Sequence, residues 1–340
     1  MRGYIKPPAV KRNSTIGLIT PSDGIEKRHF KNVEVSIKEL RAMGFRVKLA
    51  EHLFSIVDDF AAGSVSERID DIKKMIFDPK VQVIWATEGG YAANEVLAVF
   101  TEEVVAHLKK YPKWFIGYSD MSVLLNALTS FGIVNIHGPN VASFASWDDE
   151  SKLWIKNILT GKNAKSLGSD CHWKPLIPGV VEGRLLVSNL DSLIAVLGTR
   201  FDPLMQGSES VILAIEDYGV EKSTMRRQLD TILNHKKSGR IKGMIVGRFV
   251  AMGEEYYSVW SKKVTAETVI EERLRLRGGI PLVLLSDFGH AEELNFIQER
   301  LPFLRRAQTF FAMPNGIRCR LTVEGSTASL EMLETVAQDI

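Results

Sequence analysis

The chain has 340 residues, 45% of them hydrophobic and 25% charged, with 43 Lys and Arg against 41 Asp and Glu and a formal net charge of +2. That balance gives no reason to expect nucleic acid or an anionic membrane surface as the main partner. Cys171 and Cys319, the only cysteines, are too few for a disulfide scaffold or a cysteine-ligated metal cluster.

The length predicts two domains. Without an apolar signal-like start or a run of about 20 apolar residues, the expectation is a soluble cytoplasmic protein. In chain order, Thr15 to Thr20 reads as a strand closed by Pro21-Ser-Asp-Gly24. Phe30, Val33, Ile37 and Leu40 give residues 26 to 43 a helical stripe that Gly44 stops. Arg46 to Ala50 is a second strand, and Ser66 is the expected cap of a helix carrying Ile69, Ile72 and Ile76. Val81 to Ala86 is a third strand, ending in Thr87-Glu88-Gly89-Gly90, and a helix is predicted over 101 to 110. The apolar run Trp114 to Ile116 then turns through Gly117-Tyr-Ser119-Asp120 into a helix with Val123, Leu124, Ala127 and Leu128 at helical spacing.

Strands alternating with helices predict a parallel sheet covered on both faces, whose functional groups collect at the carboxyl edge. Gly89-Gly90, Ser119 and Ile136-His137-Gly138-Pro139 all stand there. Each also has a plainer reading. Gly89-Gly90 is otherwise a tight turn, Ser119 or Asp120 a helix cap, and His137 a packed turn histidine. The Gly-x-Gly-x-x-Gly and Gly-x-x-x-x-Gly-Lys-Ser/Thr strings are absent, so no nucleotide cofactor is expected.

Residues 160 to 180 have no sustained period and read as the crossing between domains. Their exception is Trp173, either a ligand wall or a pin for the loop. Strands are predicted at Val181 to Val187, Val211 to Ile215, Ile241 to Val246 and Pro281 to Leu285, with helices over 190 to 197, 223 to 235 and 264 to 277. Short strands surround Pro314-Asn315-Gly316 near the end. This divides the chain into an N-terminal domain over 1–160, a linker over 161–180 and a C-terminal domain over 181–340.

Ser119, Glu216 and His290 each follow an apolar strand, in the order of a nucleophile, an acid and a base. A serine hydroxyl needs an imidazole to take its proton, and the imidazole needs a carboxylate to hold its tautomer. The alternatives are that Glu216 ends its strand in a surface ion pair and His290 caps the next element. Without a His-x-x-x-His or a carboxylate cluster, no metal is expected.

At these residues the sequence resembles the serine peptidase family of LD-carboxypeptidases, which includes the microcin C immunity peptidases. The resemblance runs from about Thr15 to Arg248 and resumes from Pro281 to Gly316. It rests on Glu88-Gly89-Gly90-Tyr91, Gly117-Tyr-Ser119-Asp120, His137-Gly138-Pro139, Glu182-Gly-Arg-Leu185, Asn189-Leu190, Ile215-Glu216-Asp217 and Phe288-Gly289-His290. It implies a Rossmann-like N-terminal domain carrying the serine, and a smaller α/β or β-barrel-like C-terminal domain carrying the glutamate and histidine. A shallow site between them and a homodimer are also implied. The activity implied first is cleavage of the L,D bond to the terminal D-alanine of a muropeptide. The alternatives are cleavage of an aminoacyl or peptidyl nucleotide, as in the immunity branch, and an inactive binding protein.

Three departures bear on substrate. Glu88-Gly-Gly-Tyr-Ala92 stands where the carboxypeptidase branch has Arg-Gly-Gly-Tyr-Gly, and Asn94 is closer to the immunity branch. Val187-Ser188-Asn189 replaces Gly-Gly-Asn, and Ala291 to Gln308 reads as an insertion. The expected roles are Ser119 as nucleophile, His290 as general base and then acid, and Glu216 as the carboxylate orienting it. The N–H of Asp120 and the Gly89-Gly90 turn would form the oxyanion hole. Glu88, Tyr91, Trp173 and Asn189 are the expected substrate contacts, and no cofactor is needed.

Overall fold

The computed structural model describes residues 3–58, 60–162, 164–168, 170–250, 265–276, 278–291 and 309–338. The expected insertion therefore lies, from residue 292 to 308, outside the described residues.

The N-terminal sheet is built from β1 (Thr15–Ile19), β2 (Arg46–Leu49), β3 (Val81–Ala86), β4 (Trp114–Gly117) and β5 (Asn135–His137), all parallel. Helices α1 (Phe30–Ala42), α2 (Val65–Phe77), α3 (Glu102–Lys110) and α4 (Ser122–Ser130) alternate with these strands, followed by α5 (Val141–Phe144) and α6 (Asp149–Thr160). β3 and β4 are buried on both faces, which is why they read as continuous apolar runs, whereas β2 is a largely exposed edge. Buried indoles keep their N–H groups satisfied: Trp85 Nε1 donates to the Pro139 carbonyl and Trp114 Nε1 to that of Pro8.

The second sheet contains β6 (Ser166–Leu167), β7 (Trp173–Ile177), β8 (Gly179–Asn189), β9 (Val211–Tyr218), β10 (Ile241–Val250) and β11 (Leu282–Leu285). β12 (Met313–Asn315) crosses back to pair antiparallel with β5, while β13 (Arg318–Glu324) and β14 (Thr327–Met332) return to the second sheet. The orders are β12-β5-β4-β3-β1-β2 and β6-β14-β13-β8-β9-β10-β11-β7. Residues read from sequence as the crossing between domains thus include two strands of the second sheet.

These orders correct the expected fold class in two respects. Both domains are α/β units on mixed sheets, but the first has the flavodoxin-like order 2-1-3-4-5 rather than the Rossmann order. The second is ordered linearly, with β6 and β7 at opposite ends, and not as a barrel. Strand periodicity reports burial of each face, but pairing order is decided by long-range contacts. The period-2 alternation of β8 and β9 shows the consequence. Leu185, Val187, Ile212 and Ala214 join the core shared with the first sheet, and Leu186, Leu213 and Ile215 face a second core. That second core lies under α7 (Leu190–Val196), α8 (Lys222–Asn234) and α9 (Ala266–Arg275).

One cap differs from expectation. Ser64, not Ser66, starts α2, in a reciprocal capping box with Glu67. The Ser-x-x-Glu spacing at 64–67 was the available signal.

Candidate active site

The strand order changes direction between β1 and β3, and the loops leaving those strands diverge to form a crevice at the carboxyl edge. The loop after β4 completes it. Three side chains tie these loops together. Asp23 Oδ1 accepts the Tyr91 N–H at 2.8 Å; Asp120 Oδ2 accepts from the Ala93 N–H at 2.7 Å and from Ser22 Oγ at 2.5 Å. Buried Arg68 donates to the carbonyls of Pro21, Ala92 and Gly63 and pairs with Glu95. Asp23, Ser22 and Arg68 were not singled out from sequence. The only signal for the first two was their place after an apolar strand, and Arg68 sits mid-helix with none.

Ser119 occupies the turn from β4 into a short 3-10 helix, Ser119–Met121, with φ of +58°. A non-glycine residue in the left-handed region carries roughly 1–2 kcal/mol of strain, which a simple cap would not require. Neither helix start here has a side-chain cap, so the capping alternative for Ser119 and Asp120 fails. Gly89 packs directly against the serine: a Cβ on it would lie 2.9 Å from Ser119 Oγ. Gly90 has φ of +130°, and a Cβ there would overlap Asp23. Both glycines are therefore required by protein neighbours. Asp120 N–H lies at the start of the 3-10 turn, and the Gly90 N–H has no hydrogen-bond partner among the described residues.

A cavity of about 970 Å³ opens over Ser119. Glu88, Gly89, Gly90, Tyr91, Asp120, Asn189 and His290 line it with the serine, as do Asp23, Asp191 and Asp217. Glu216 lies behind this surface, fully buried. Its Oε2 accepts both the backbone N–H of His290, at 3.0 Å, and the ring Nδ1, at 2.5 Å. Burial alone would raise the Glu216 pKa, but the adjoining His290 and these hydrogen bonds hold it below the usual carboxylate value. The surface-ion-pair alternative for Glu216 is thereby excluded.

Other carboxyls in the cavity move the other way. Burial pushes Asp217 up to about 7, aided by the neighbouring Glu216 charge. Glu88 is raised to about 7 and Asp120 to about 6, again chiefly by burial. Asn189 is committed within the protein: it caps α7 through Ser192 N–H and donates to Asp217 Oδ1 at 2.8 Å. Tyr91 is 78% exposed at the cavity rim.

Trp173, another expected substrate contact, lies away from this cavity. It is half-buried on β7, donates its indole N–H to the Gly168 carbonyl at 2.7 Å, and packs on the main core. It does not line the cavity. A polar loop composition had concealed an antiparallel strand pairing with β11.

The serine on a strained strand-to-helix turn, at the switch point of one α/β unit and walled by a second, defines the architecture of a two-domain α/β hydrolytic enzyme. Residues 16–138 match the LD-carboxypeptidase N-terminal domain and residues 182–298 the LD-carboxypeptidase C-terminal domain. The chain belongs to the LD-carboxypeptidase family. It is 29% identical over 290 residues to a probable murein peptide carboxypeptidase of Bacillus subtilis (strain 168), covering 84% of this chain and 86% of that protein. It is 25% identical over 258 residues to the microcin C7 self-immunity protein MccF of Escherichia coli, covering 66% and 71%. Among solved structures, MccF in complex with glutamyl sulfamoyl guanosine superposes with a TM-score of 0.80 at 18% identity, over 98% of this chain and 100% of that one.

One further relative corrects the expected catalytic set. A solved active-site mutant of MccF (TM-score 0.79, 18% identity, covering 98% and 99%) has a serine, an asparagine and a lysine replaced by alanine. That points to a serine–asparagine–lysine set in that protein and overturns the expectation of an enzyme defined by a Ser-Glu-His triad. The physical reason is that a place at the end of a strand reports which edge a residue occupies, not what it touches. Here the His290–Glu216 bond is made, but among the described residues no hydrogen bond joins Ser119 Oγ to either partner. Ser119 and Asn189 line this cavity, while no lysine does among the described residues.

No described helix is long and apolar enough to cross a membrane. The described residues contain no group of three or more His, Cys, Asp or Glu side chains placed to hold a metal ion.

Proposed function

We propose that this chain hydrolyses the acyl bond of an aminoacyl or peptidyl nucleotide, with Ser119 as the attacking group. The observation that carries the substrate choice is Glu88 beside the Gly89-Gly90 turn. Its carboxyl lines the cavity, and Oε1 accepts the Gly89 N–H at 3.2 Å. A carboxypeptidase holds the free terminal carboxylate of its substrate, for which a second carboxyl at this position is a poor partner. Exposed Tyr91 and Phe60 instead offer ring faces at the cavity rim on which a nucleobase stacks. The fold likeness to MccF bound to an aminoacyl sulfamoyl nucleoside is consistent with this reading.

In the reaction, Ser119 Oγ attacks the acyl carbon, the developing oxyanion takes hydrogen bonds from the N–H groups of Asp120 and Gly90, and the bond to the nucleotide then breaks, the nucleotide leaving with the serine's proton. Loss of one such donor costs about 3 kcal/mol of transition-state stabilisation. The strained backbone at Ser119 holds its hydroxyl toward the cavity, so little reorganisation is needed at attack. A water then attacks the acyl-serine ester, breaking its bond to Oγ, so that the acyl group leaves as a carboxylic acid and a proton of the water returns to Ser119. His290, anchored on Glu216, and Asn189, anchored on Asp217, form the polar wall facing the substrate.

Cleavage of a D-alanine-terminated muropeptide is the second reading, favoured by the 29% identity to the Bacillus subtilis murein peptide carboxypeptidase and by Arg28 in the cavity lining. Measuring kcat/KM for an aminoacyl sulfamoyl-adenosine and a D-alanine-terminated tetrapeptide side by side separates the two. Higher kcat/KM for the adenosine compound is expected. Preference for the tetrapeptide would reverse the assignment.

A further inference from the structure

His137 was read from sequence as a packed turn histidine or a site residue, and the proposed reaction leaves it without a role. It lies on β5, fully buried, between Gly117 of β4 and Met313 of β12. Its Nε2 stands 3.6 Å from Glu216 Oε1. Neither of these two buried atoms has a hydrogen-bond partner among the described residues, and buried polar atoms left unpaired are rare. At this separation no water fits between them, and among the described residues each faces the other just beyond hydrogen-bond distance.

The opposite ring nitrogen has a partner that suits one tautomer. Ser122 Oγ accepts the backbone N–H of Asn189 at 3.3 Å and lies 3.4 Å from His137 Nδ1. Ser122 has one hydroxyl proton to give; donated to Nδ1, it leaves the ring proton on Nε2, facing Glu216. The donors then run in one direction, from Asn189 N–H to Ser122, from Ser122 to His137, and from His137 to Glu216.

We propose that His137 is a positioning residue: its neutral ring donates Nε2–H to Glu216 Oε1, clamping the carboxylate between two imidazoles and thereby fixing the orientation of His290 in the cavity wall. Each carboxylate oxygen then has its own donor, with His290 on Oε2 and His137 on Oε1. Burial lowers His137 to about 4, so the ring stays neutral at physiological pH. The other charged or titratable groups around this unit include Asp217 beside Glu216 on β9, Arg248 of β10, Glu88 after β3, and Tyr118, all acting electrostatically on it. The Tyr218 ring also packs on His290.

The kinetic test rests on the hydrolytic reading of the cavity; the spectroscopic test does not. In the ¹⁵N-histidine-labelled protein, with His137 identified by its loss in His137→Gln, the ring is expected to stay neutral and Nε2-protonated from about pH 5 to about pH 8. A ring protonated on Nδ1, or on both nitrogens, overturns the proposal. Ser122→Ala, which leaves the ring in place, is expected to introduce the Nδ1-protonated tautomer; an unchanged tautomer counts against the relay. In turnover, His137→Leu is expected to lower kcat/KM about tenfold, and His137→Gln, which keeps an N–H near the Nε2 position, to restore most of it. Equal losses in both variants overturn the positioning role. Should His137→Leu fail to fold, the tautomer measurement decides alone. Should the wild type turn over neither substrate class, the functional reading falls and the tautomer measurement still judges His137.

Discussion

Gly89 and Ser119 are in contact across the gap between β3 and β4, and the glycine has no room for a side chain because the serine fills it. A Cβ at 89 would lie 2.9 Å from both Cβ and Oγ of Ser119. Gly89→Ala should therefore displace Ser119, the proposed attacking group, with a stability loss of about 1–3 kcal/mol and a fall in kcat of about a hundredfold or more. Thermal melting and turnover measured together check this. Wild-type turnover in a folded G89A protein would remove Ser119 from the reaction or show that the turn yields freely.

The positive φ of Ser119 makes a separate prediction. Ser119→Ala and Ser119→Gly should both lose turnover, but only glycine relieves the left-handed backbone. The glycine variant is expected to be more stable than the alanine variant by roughly 1 kcal/mol, the left-handed penalty less the extra flexibility of an unfolded glycine. Equal stabilities in a denaturant titration would mean that the turn relaxes around the substituted alanine.

Glu88 predicts a pH dependence with a definite sign. Its folded value of about 7 lies above its ordinary 4.5, so the native protein keeps a proton that the unfolded chain has released. The contribution to stability is complete below the unfolded value and is lost as pH rises toward 7. Melting temperature should fall over this window, and Glu88→Gln should flatten part of the fall. An identical slope in E88Q would assign the trend to other groups, Asp217 first among them.

The same residue tests specificity. Glu88→Arg places a guanidinium where the proposed reading puts a carboxyl, and should raise kcat/KM for the D-alanine-terminated tetrapeptide about tenfold while lowering that for the aminoacyl sulfamoyl-adenosine. If the ratio of the two specificity constants stays where it is in the wild type, Glu88 does not select the substrate.

Tyr91 and Trp173 should separate binding from folding. Tyr91→Ala is expected to raise KM for the adenosine compound about tenfold or more, consistent with the 1–3 kcal/mol of a base stacked on an aromatic ring, and to leave the melt unchanged. Trp173→Ala should do the reverse, losing about 2 kcal/mol of stability through the Gly168 hydrogen bond and core packing with KM unaltered. A KM effect confined to W173A would return that ring to the site.

By itself the sequence determined the local elements and the edge on which the chemistry gathers. Apolar runs such as Val81 to Ala86 and Val211 to Ile215 are strands buried on both faces, and that burial is written in consecutive residues. Ser119, Glu88, Gly89 and Gly90 were legible for the same reason: each directly follows a strand, and in a parallel sheet every strand delivers its next residues to one edge. What touches what was not legible. Trp173 became part of a strand because β11 offered its edge, and β12 joined the first sheet from far along the chain. Glu216 and His290 are bonded while Ser119 is not seen bonded to either. His137 gained a partner only because the two sheets meet at β5 and β9. These contacts join residues separated by tens to hundreds of positions, and their strength depends on distances of a few tenths of an ångström, which no pattern of neighbours along the chain encodes.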